Sequence, residues 1–584
     1  MSRRITGGVA GSESTQSRTH LHRDMRPQKR LPVAAQLFWG KSGLRILRAA
    51  FTIPQMNRRD FLSTVPLVLA ASTLPVSEIF AAPTAAKPEA AGQNASPSAP
   101  HALDFATALE AAEAIRTKKV SSVELTERMF ARIDHYNPQL NVFAYQLRAD
   151  ALAQAKKADS GLAQGKALGA FHGVPITVKE SFAVAGHPCT WGFPPLRDSK
   201  APKNSDVVSH LLSDAGAVLL GATNVPVALE DWQSYNPIYG QTNNPWDLKR
   251  TPGGSSGGSA AGLAAGLGYL SVGSDIGGSI RVPAHFCGIF GHKPTLDLVS
   301  LQGHLPGGNP GLPDFSTLLA VAGPLARSAG DLLAALKVLG GPGGWDAKAW
   351  KWQMPEPRAR SLKDFRVGYV IDDPIAPPTP EVKAVLENAV DRFGRAGAKM
   401  KQGWPEGFKP EELLANYQFM LEAFLYSTAP PDEQERLRKT AGDMVAGKNS
   451  GAMSSFADWQ KQNFRRLAYR AQWQAYFNQV DVFLSPVAFT AAFPHDHSEP
   501  QDQRTITTSA GPRHYMDMLN WIAPATLTGC PATVAPVGRT PQGLPVGIQI
   551  MGPFWEDATP ITFADLLAKE AGGFTAPPGY SDVK

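Results

Sequence analysis

GGSSGGSAAGLAAGLGYLSVGSDIGGSIR, residues 253–281, places two serines, Ser255 and Ser279, in glycine-rich stretches 24 residues apart. Leu263, Leu267, Tyr269, Leu270, Val272, Ile276 and Ile280 are threaded between and around them. A flexible Gly/Ser linker lacks such large apolar residues, so this stretch is packed. Ala260 to Gly266 reads as a small-residue helix, which lets both hydroxyls return to one end of a sheet.

The flanking sequence supports a sheet covered by helices. Gly173 to Glu180 alternates Val174, Ile176 and Val178 with Thr177 and Lys179, a strand pattern. Asp206 to Ala215 reads as a helix and Ala217 to Gly221 as a short apolar strand. Upstream, Ala106 to Ile115 and Ser121 to Tyr136 read as helices, the second opened by the capping box Ser121-x-x-Glu124. Downstream come a strand at Phe365 to Ile371, a helix at Pro380 to Ala396, and strands at 481–486 and 544–552. Strands alternating with helices predict an α/β fold, one large domain with a mixed, mostly parallel β-sheet covered by helices on both faces. That domain is expected over residues 102–580, with a helical insertion at about 410–479.

Composition agrees with a globular chain. Of 584 residues, 43% are hydrophobic and 18% charged, enough to bury a sizeable core. The net charge of +6 is misleading as a clue to nucleic acid, because residues 1–59 carry +10 and residues 60–584 therefore carry −4. The basic face expected of a nucleic-acid binder is missing from the body of the chain. Cys189, Cys287 and Cys530 are widely spaced and show no Cys-x-x-Cys, so neither a disulfide framework nor a zinc site is predicted.

The basic part leads into an export-like segment. Arg58-Arg59-Asp60-Phe61-Leu62 precedes a moderately apolar run, Ser63 to Val76, and then the small residues of Phe80 to Ala86. Twin arginines followed by Phe-Leu resemble a twin-arginine signal, read over residues 56–86. The run contains Pro66 and Pro75 and is shorter than the ~20 residues a membrane span needs. A periplasmic or secreted location is therefore expected, with the membrane met only during export. Residues 1–55 are an awkward leader for such a signal, and Met56 is an alternative start. Residues 87–101 form an Ala/Pro/Ser linker.

The chemistry begins with Ser279. A nucleophilic serine needs a base within hydrogen-bond reach and donors for the oxyanion. In Ile276-Gly277-Gly278-Ser279, glycines without Cβ let successive backbone N–H groups converge, which makes Ser279 the better nucleophile candidate. Among the histidines only His285 and His292 lie in a suitable context, while His495-Asp496-His497 sits in a polar loop. Lys179 is the other base candidate, because it ends a strand among apolar neighbours where desolvation favours the free amine. Gly253-x-Ser255-x-Gly257 formally fits a nucleophile elbow, but the polar run Thr242 to Pro252 supplies no strand before the serine. Asp275 and Arg281 are expected to pair and shape the loop. Ser256 and Ser259 are expected to bond within the glycine loop, and Cys189 to fill space near Lys179.

Taken together, Gly173-x-Pro175-x-x-x-Lys179, the 252–261 serine-glycine stretch and Gly273 to Pro283 resemble the amidase signature family. Thr242-x-Asn244-Pro245 and Gly543 to Ile550 are similar to it too, and the likeness runs from about residue 102 to 575. The resemblance implies a Ser–cis-Ser–Lys triad of Ser279, Ser255 and Lys179, in which Ser255 relays the proton and backbone donors from Ile276, Gly277, Gly278 and Ser279 hold the oxyanion. It implies an amidase forming an acyl-Ser279 intermediate, without metal or cofactor, on a small-molecule amide, with a homodimer left open. An esterase or aryl-acylamidase using the same site, or an inactive binding protein of this fold, are the alternatives; a tRNA-dependent amidotransferase subunit fits an exported chain less well. Two features depart from the family: Ala222 stands where many relatives carry lysine, and the export signal is unusual. Trp232, Tyr235, Tyr239 and the aromatic residues Tyr417, Phe419, Phe424 and Tyr426 are the candidates for lining a substrate pocket or filling the core.

Overall fold

The computed structural model describes residues 100–166, 169–308, 316–429, 434–435 and 451–581. The leader, the signal-like segment, most of the linker and part of the 410–479 insertion lie outside the described residues. The described residues within Gly92–Lys584 form one compact unit.

Eleven strands form its central sheet: β1 Phe143–Gln146, β2 Pro175–Lys179, β3 Val218–Thr223, β4 Leu270–Asp275, β5 Phe290–Lys293, β6 Val321–Ala326, β7 Arg366–Tyr369, β8 Lys399–Gln402, β9 Val482–Pro486, β10 Ala532–Arg539 and β11 Pro545–Met551. Their spatial order is β1-β3-β2-β4-β6-β5-β10-β11-β9-β7-β8. Parallel ladders hold β3, β2 and β4 together, and likewise β9, β7 and β8. Antiparallel ladders run through β4, β6, β5, β10, β11 and β9 between those groups. This is the single α/β domain with a mixed sheet that the alternation of strand and helix patterns predicts, with parallel ladders on both sides of the centre and an antiparallel middle; counting β1 with β3, six ladders are antiparallel and four parallel.

Local chemistry explains the element ends that matter most. The helix Ser122–Leu140 starts at Ser121, whose hydroxyl accepts from the Glu124 N–H while the Glu124 carboxylate accepts from the Ser121 N–H. This is the predicted capping box, and it satisfies two donors that a helix start leaves open. β2 and β3 are buried along their whole length; β3 accordingly reads as a near-continuous apolar run, whereas β2 alternates because Thr177 and Lys179 find buried hydroxyl partners in Ser271 and Ser255. The predicted helix Asp206–Ala215 is α-helical over Asp206–Ser209 and widens to a π-helical turn over His210–Asp214. The small-residue helix begins earlier than its apolar pattern suggests, at Gly257, and runs to Ala264. In the insertion, helices Pro410–Thr428 and Phe456–Tyr476 are formed.

β2 and β4 are parallel neighbours, with Val178 opposite Val272. Their carboxyl ends therefore open at the same edge of the sheet, where open α/β sheets place their ligand crevices. Lys179 is the last residue of β2, and Asp275 the last of β4.

Candidate active site

Lys179 is completely buried. Its Nζ lies 2.7 Å from Ser255 Oγ, 2.9 Å from Ser274 Oγ and 3.4 Å from the Ser274 carbonyl oxygen. Burial lowers its pKa to about 7, opposed by the charge of Asp275. A neutral amine keeps one lone pair and two N–H groups, which fits these surroundings: Ser274 can accept the N–H groups while the lone pair faces the Ser255 hydroxyl.

Ser255 is buried in the loop before the helix Gly257–Ala264, and the Gly254–Ser255 peptide is cis. No strand precedes it, so the elbow arrangement is absent here. Glycine is required at 254 because a Cβ would stand 2.3 Å from the Asp231 carbonyl oxygen. The Ser256 N–H donates to the Ser279 carbonyl at 3.2 Å, which joins the two glycine-rich stretches at the sheet edge.

After β4 the chain turns through Ile276–Ile280 into the helix Arg281–Cys287. Asp275 organises this turn. Its carboxylate accepts from the N–H groups of Gly278, Ile280 and Arg281, and from the Arg281 guanidinium at 2.8 and 3.0 Å. Burial pushes the Asp275 carboxyl up, but the Arg281 charge and hydrogen bonds outweigh it and hold the pKa below the ordinary carboxylate value. Gly278 adopts φ +89°, a left-handed backbone that favours glycine. Its N–H is committed to Asp275, which amends the sequence expectation of four oxyanion donors. The N–H groups of Ile276, Gly277 and Ser279 have no acceptor among the described residues.

The Asp275–Arg281 pair is wholly buried, so removing one charge strands the other. Asp275→Asn is expected to cost about 3–5 kcal/mol of stability, read as a lowered denaturant midpoint. A variant within about 1 kcal/mol of the parent, well inside the usual scatter of single substitutions, would show that the pair does not hold the loop.

The remaining candidates separate by their contacts. His285 is buried, with Nε2 on the Thr490 carbonyl and Nδ1 accepting from the Gly547 N–H; burial lowers its pKa to about 4. His292 is enclosed by Thr533 and Asp557. Neither touches Ser255 or Ser279 through a hydrogen bond among the described residues. His495 and His497 are half-buried rather than solvated, and the His497 ring stacks on Tyr235. Ser259 bonds to Thr223 of β3 and Ser271 of β4 instead of to the glycine loop, because it faces the strands from the first turn of the helix. The three cysteines are buried and free. Tyr417 and Phe419 are buried, whereas Phe424 and Tyr426 line a cavity of about 670 Å³ with Met420, Phe456 and Trp459.

The amidase family model matches residues 124–560. This chain belongs to the amidase signature family. Among curated amidases and their relatives, it is 30% identical over 478 residues to the indoleacetamide hydrolase of Bradyrhizobium diazoefficiens, a match covering 80% of this chain and 86% of that one. It is 29% identical to the acylamidase of Rhodococcus erythropolis, covering 82% and 97%. The structure of a bacterial aryl acylamidase superposes with a TM-score of 0.67 at 22% identity, over 80% of this amidase and 96% of that chain, a likeness of fold. The protein is thus an amide hydrolase acting on carbon–nitrogen bonds.

Sequence reasoning left three features of this amidase unassigned. Ser274 lies in a quoted motif, yet its hydroxyl at Lys179 emerges only from the register of β2 and β4. Glu180, next to the lysine, is buried and takes N–H bonds from Thr190 and Trp191; burial raises its pKa to about 7 against those bonds. Trp232 and Tyr417 contact the Ile276–Gly277 backbone from 45 and 141 residues away, a separation no local pattern reveals.

Proposed function

We propose that this amidase cleaves a carboxylic amide through an acyl-Ser279 intermediate, with Lys179 as the base and Ser255 as the proton relay. The observation that carries the reading is a buried lysine, with its pKa lowered to about 7, placed 2.7 Å from a serine hydroxyl. As Ser279 Oγ forms its bond to the amide carbonyl carbon, its proton passes to Ser255 Oγ and the Ser255 proton to Lys179 Nζ. The N–H groups of Ile276, Gly277 and Ser279 receive the oxyanion. Collapse breaks the carbon–nitrogen bond, and the relay runs backward to protonate the leaving nitrogen. Water then attacks the acyl-enzyme, gives its proton to the same relay, and releases the carboxylic acid and free Ser279.

An amide that carries an aromatic or long apolar group is the substrate class favoured here. The names of the indoleacetamide and acylamide hydrolases above are in keeping with that class. Turnover of a panel of aliphatic, aryl and peptide amides, with matched esters, tests the reading. Aryl amides are expected to lead. A folded protein that hydrolyses none of them and takes no label from a serine-reactive fluorophosphonate would defeat it.

The twin arginines and the apolar run after them support export of the folded enzyme. In fractionated cells the mature enzyme is expected outside the cytoplasm, and Arg58→Lys with Arg59→Lys is expected to hold the precursor inside. A double variant exported as well as the parent removes that assignment.

A further inference from the structure

Two side chains from distant parts of the chain pin the turn that presents the oxyanion donors. The Trp232 indole N–H donates to the Gly277 carbonyl at 2.8 Å, and the Tyr417 hydroxyl donates to the Ile276 carbonyl at 2.8 Å. Both rings are buried. In a trans peptide unit the C=O and N–H point in opposite directions. Holding the Ile276 carbonyl towards Tyr417 therefore aims the Gly277 N–H away from Tyr417, and that N–H has no acceptor among the described residues. Holding the Gly277 carbonyl towards Trp232 aims the Gly278 N–H the other way, where Asp275 Oδ1 accepts it at 3.0 Å. Two successive peptide units are thus fixed by the carbonyl ends, and their orientation does not depend on the substrate.

We propose that Trp232 and Tyr417 are positioning residues that preset the oxyanion donor of Gly277 by clamping the carbonyls on either side of that residue. The inference rests on the acyl-Ser279 reading. The Tyr417 hydroxyl also borders the space beside residue 277, where a Cβ would lie in ordinary contact with it at 3.7 Å. Donors that are already oriented need no reorganisation as charge develops, which is the main source of oxyanion stabilisation. Tyr417 sits in the helix Pro410–Thr428, and Met420, three residues on, lines the aromatic cavity. The helix that borders the cavity therefore also sets the donor.

Tyr417→Phe and Trp232→Phe remove the hydrogen bonds and keep a ring. Loss of a whole oxyanion donor costs about 10²–10³ in kcat, so a donor left in place but freed to turn is expected to cost about tenfold in each variant. With a chromogenic nitroanilide, kcat is expected to fall with KM within about twofold, because an interaction made mainly in the transition state has gone. Inhibition by a phenylboronic acid, whose tetrahedral adduct places an oxygen at the same donors, is expected to weaken by the same factor. The pH midpoint of activity should stay at the parent value, since Lys179 is untouched. Variants with parental kcat overturn the proposal, and so does a fall in kcat with boronate inhibition unchanged. The two side chains lie on separate elements, so either variant that keeps its thermal midpoint decides; loss of fold in both assigns the rings to packing and also overturns it. If the parent enzyme neither turns over amides nor takes a serine-reactive label, the acyl-Ser279 reading has failed first.

Discussion

Ser279→Ala is expected to reduce amide turnover by about 10⁴-fold or more, leaving only what binding and the oxyanion donors contribute without a nucleophile. The size of the effect follows from the division of roles. The backbone donors, the Lys179 amine and the Ser255 hydroxyl all remain in the variant, but no oxygen is placed to form the acyl bond. The change is also structurally mild. The turn around residue 279 is held by Asp275 through the N–H groups of Gly278, Ile280 and Arg281 and by the Ser256 N–H on the Ser279 carbonyl. None of those bonds uses the Ser279 hydroxyl, so the thermal midpoint should move little. Steady-state kinetics and fluorophosphonate labelling read the two halves of the expectation separately. Turnover within tenfold of the parent, or labelling that persists in the alanine variant, would move the nucleophile elsewhere, with Ser255 the next residue to test.

Lys179→Met is expected to lower kcat by about 10²–10⁴-fold, the usual contribution of a positioned general base. Its pH signature is more diagnostic than its size. With the lysine pKa at about 7, the amine in the parent enzyme is protonated below that pH and has no lone pair for the Ser255 proton. The parent kcat/KM should therefore rise about tenfold per pH unit up to about 7 and level off above it. The methionine variant should lose that ascending limb. In this variant stability should move the other way from activity. The folded state holds Lys179 with its pKa lowered from the ordinary lysine value of 10.5 to about 7, so between those values the unfolded chain binds the extra proton. Stability then rises with pH across that window as this penalty is relieved. A methionine of similar shape carries no such penalty, and the variant should be at least as stable as the parent at pH 7. An inactive and destabilised variant would point to a structural lysine, and parental activity across the pH range would remove it from the mechanism.

The two glycine-rich stretches and the strand ending in Lys179 were legible because their chemistry is written locally. Ser255, Ser279 and Lys179 each sit in a short pattern that constrains its own backbone: glycines at 254 and 278, and apolar alternation through Val178. The Ser121–Glu124 capping box was readable for the same reason, since both partners lie within one helical turn. The strands Leu270–Asp275, Phe290–Lys293 and Val321–Ala326 were not singled out, because Gly273, Gly291, Gly323 and Pro324 interrupt the apolar pattern that marks a strand. They are nonetheless held by ladders across the middle of the sheet. Ser259 was misplaced because a helix turns its side chain towards β3 and β4, a direction that depends on how the helix docks.

By itself the sequence determined the α/β class, the strand that ends in Lys179 and the two glycine-rich stretches that carry Ser255 and Ser279, because backbone preference and apolar periodicity act over a few residues. Only the tertiary structure decided how the charges and donors around them are set. The parallel register of β2 and β4 brings Ser274 to Lys179, burial takes the lysine towards neutrality, and the carboxylate of Asp275 withdraws Gly278 from the donor set. Trp232 and Tyr417 reach the same turn from remote segments. Desolvation and hydrogen-bond direction arise from what the folded chain packs against each group, and those neighbours come from across the whole sheet.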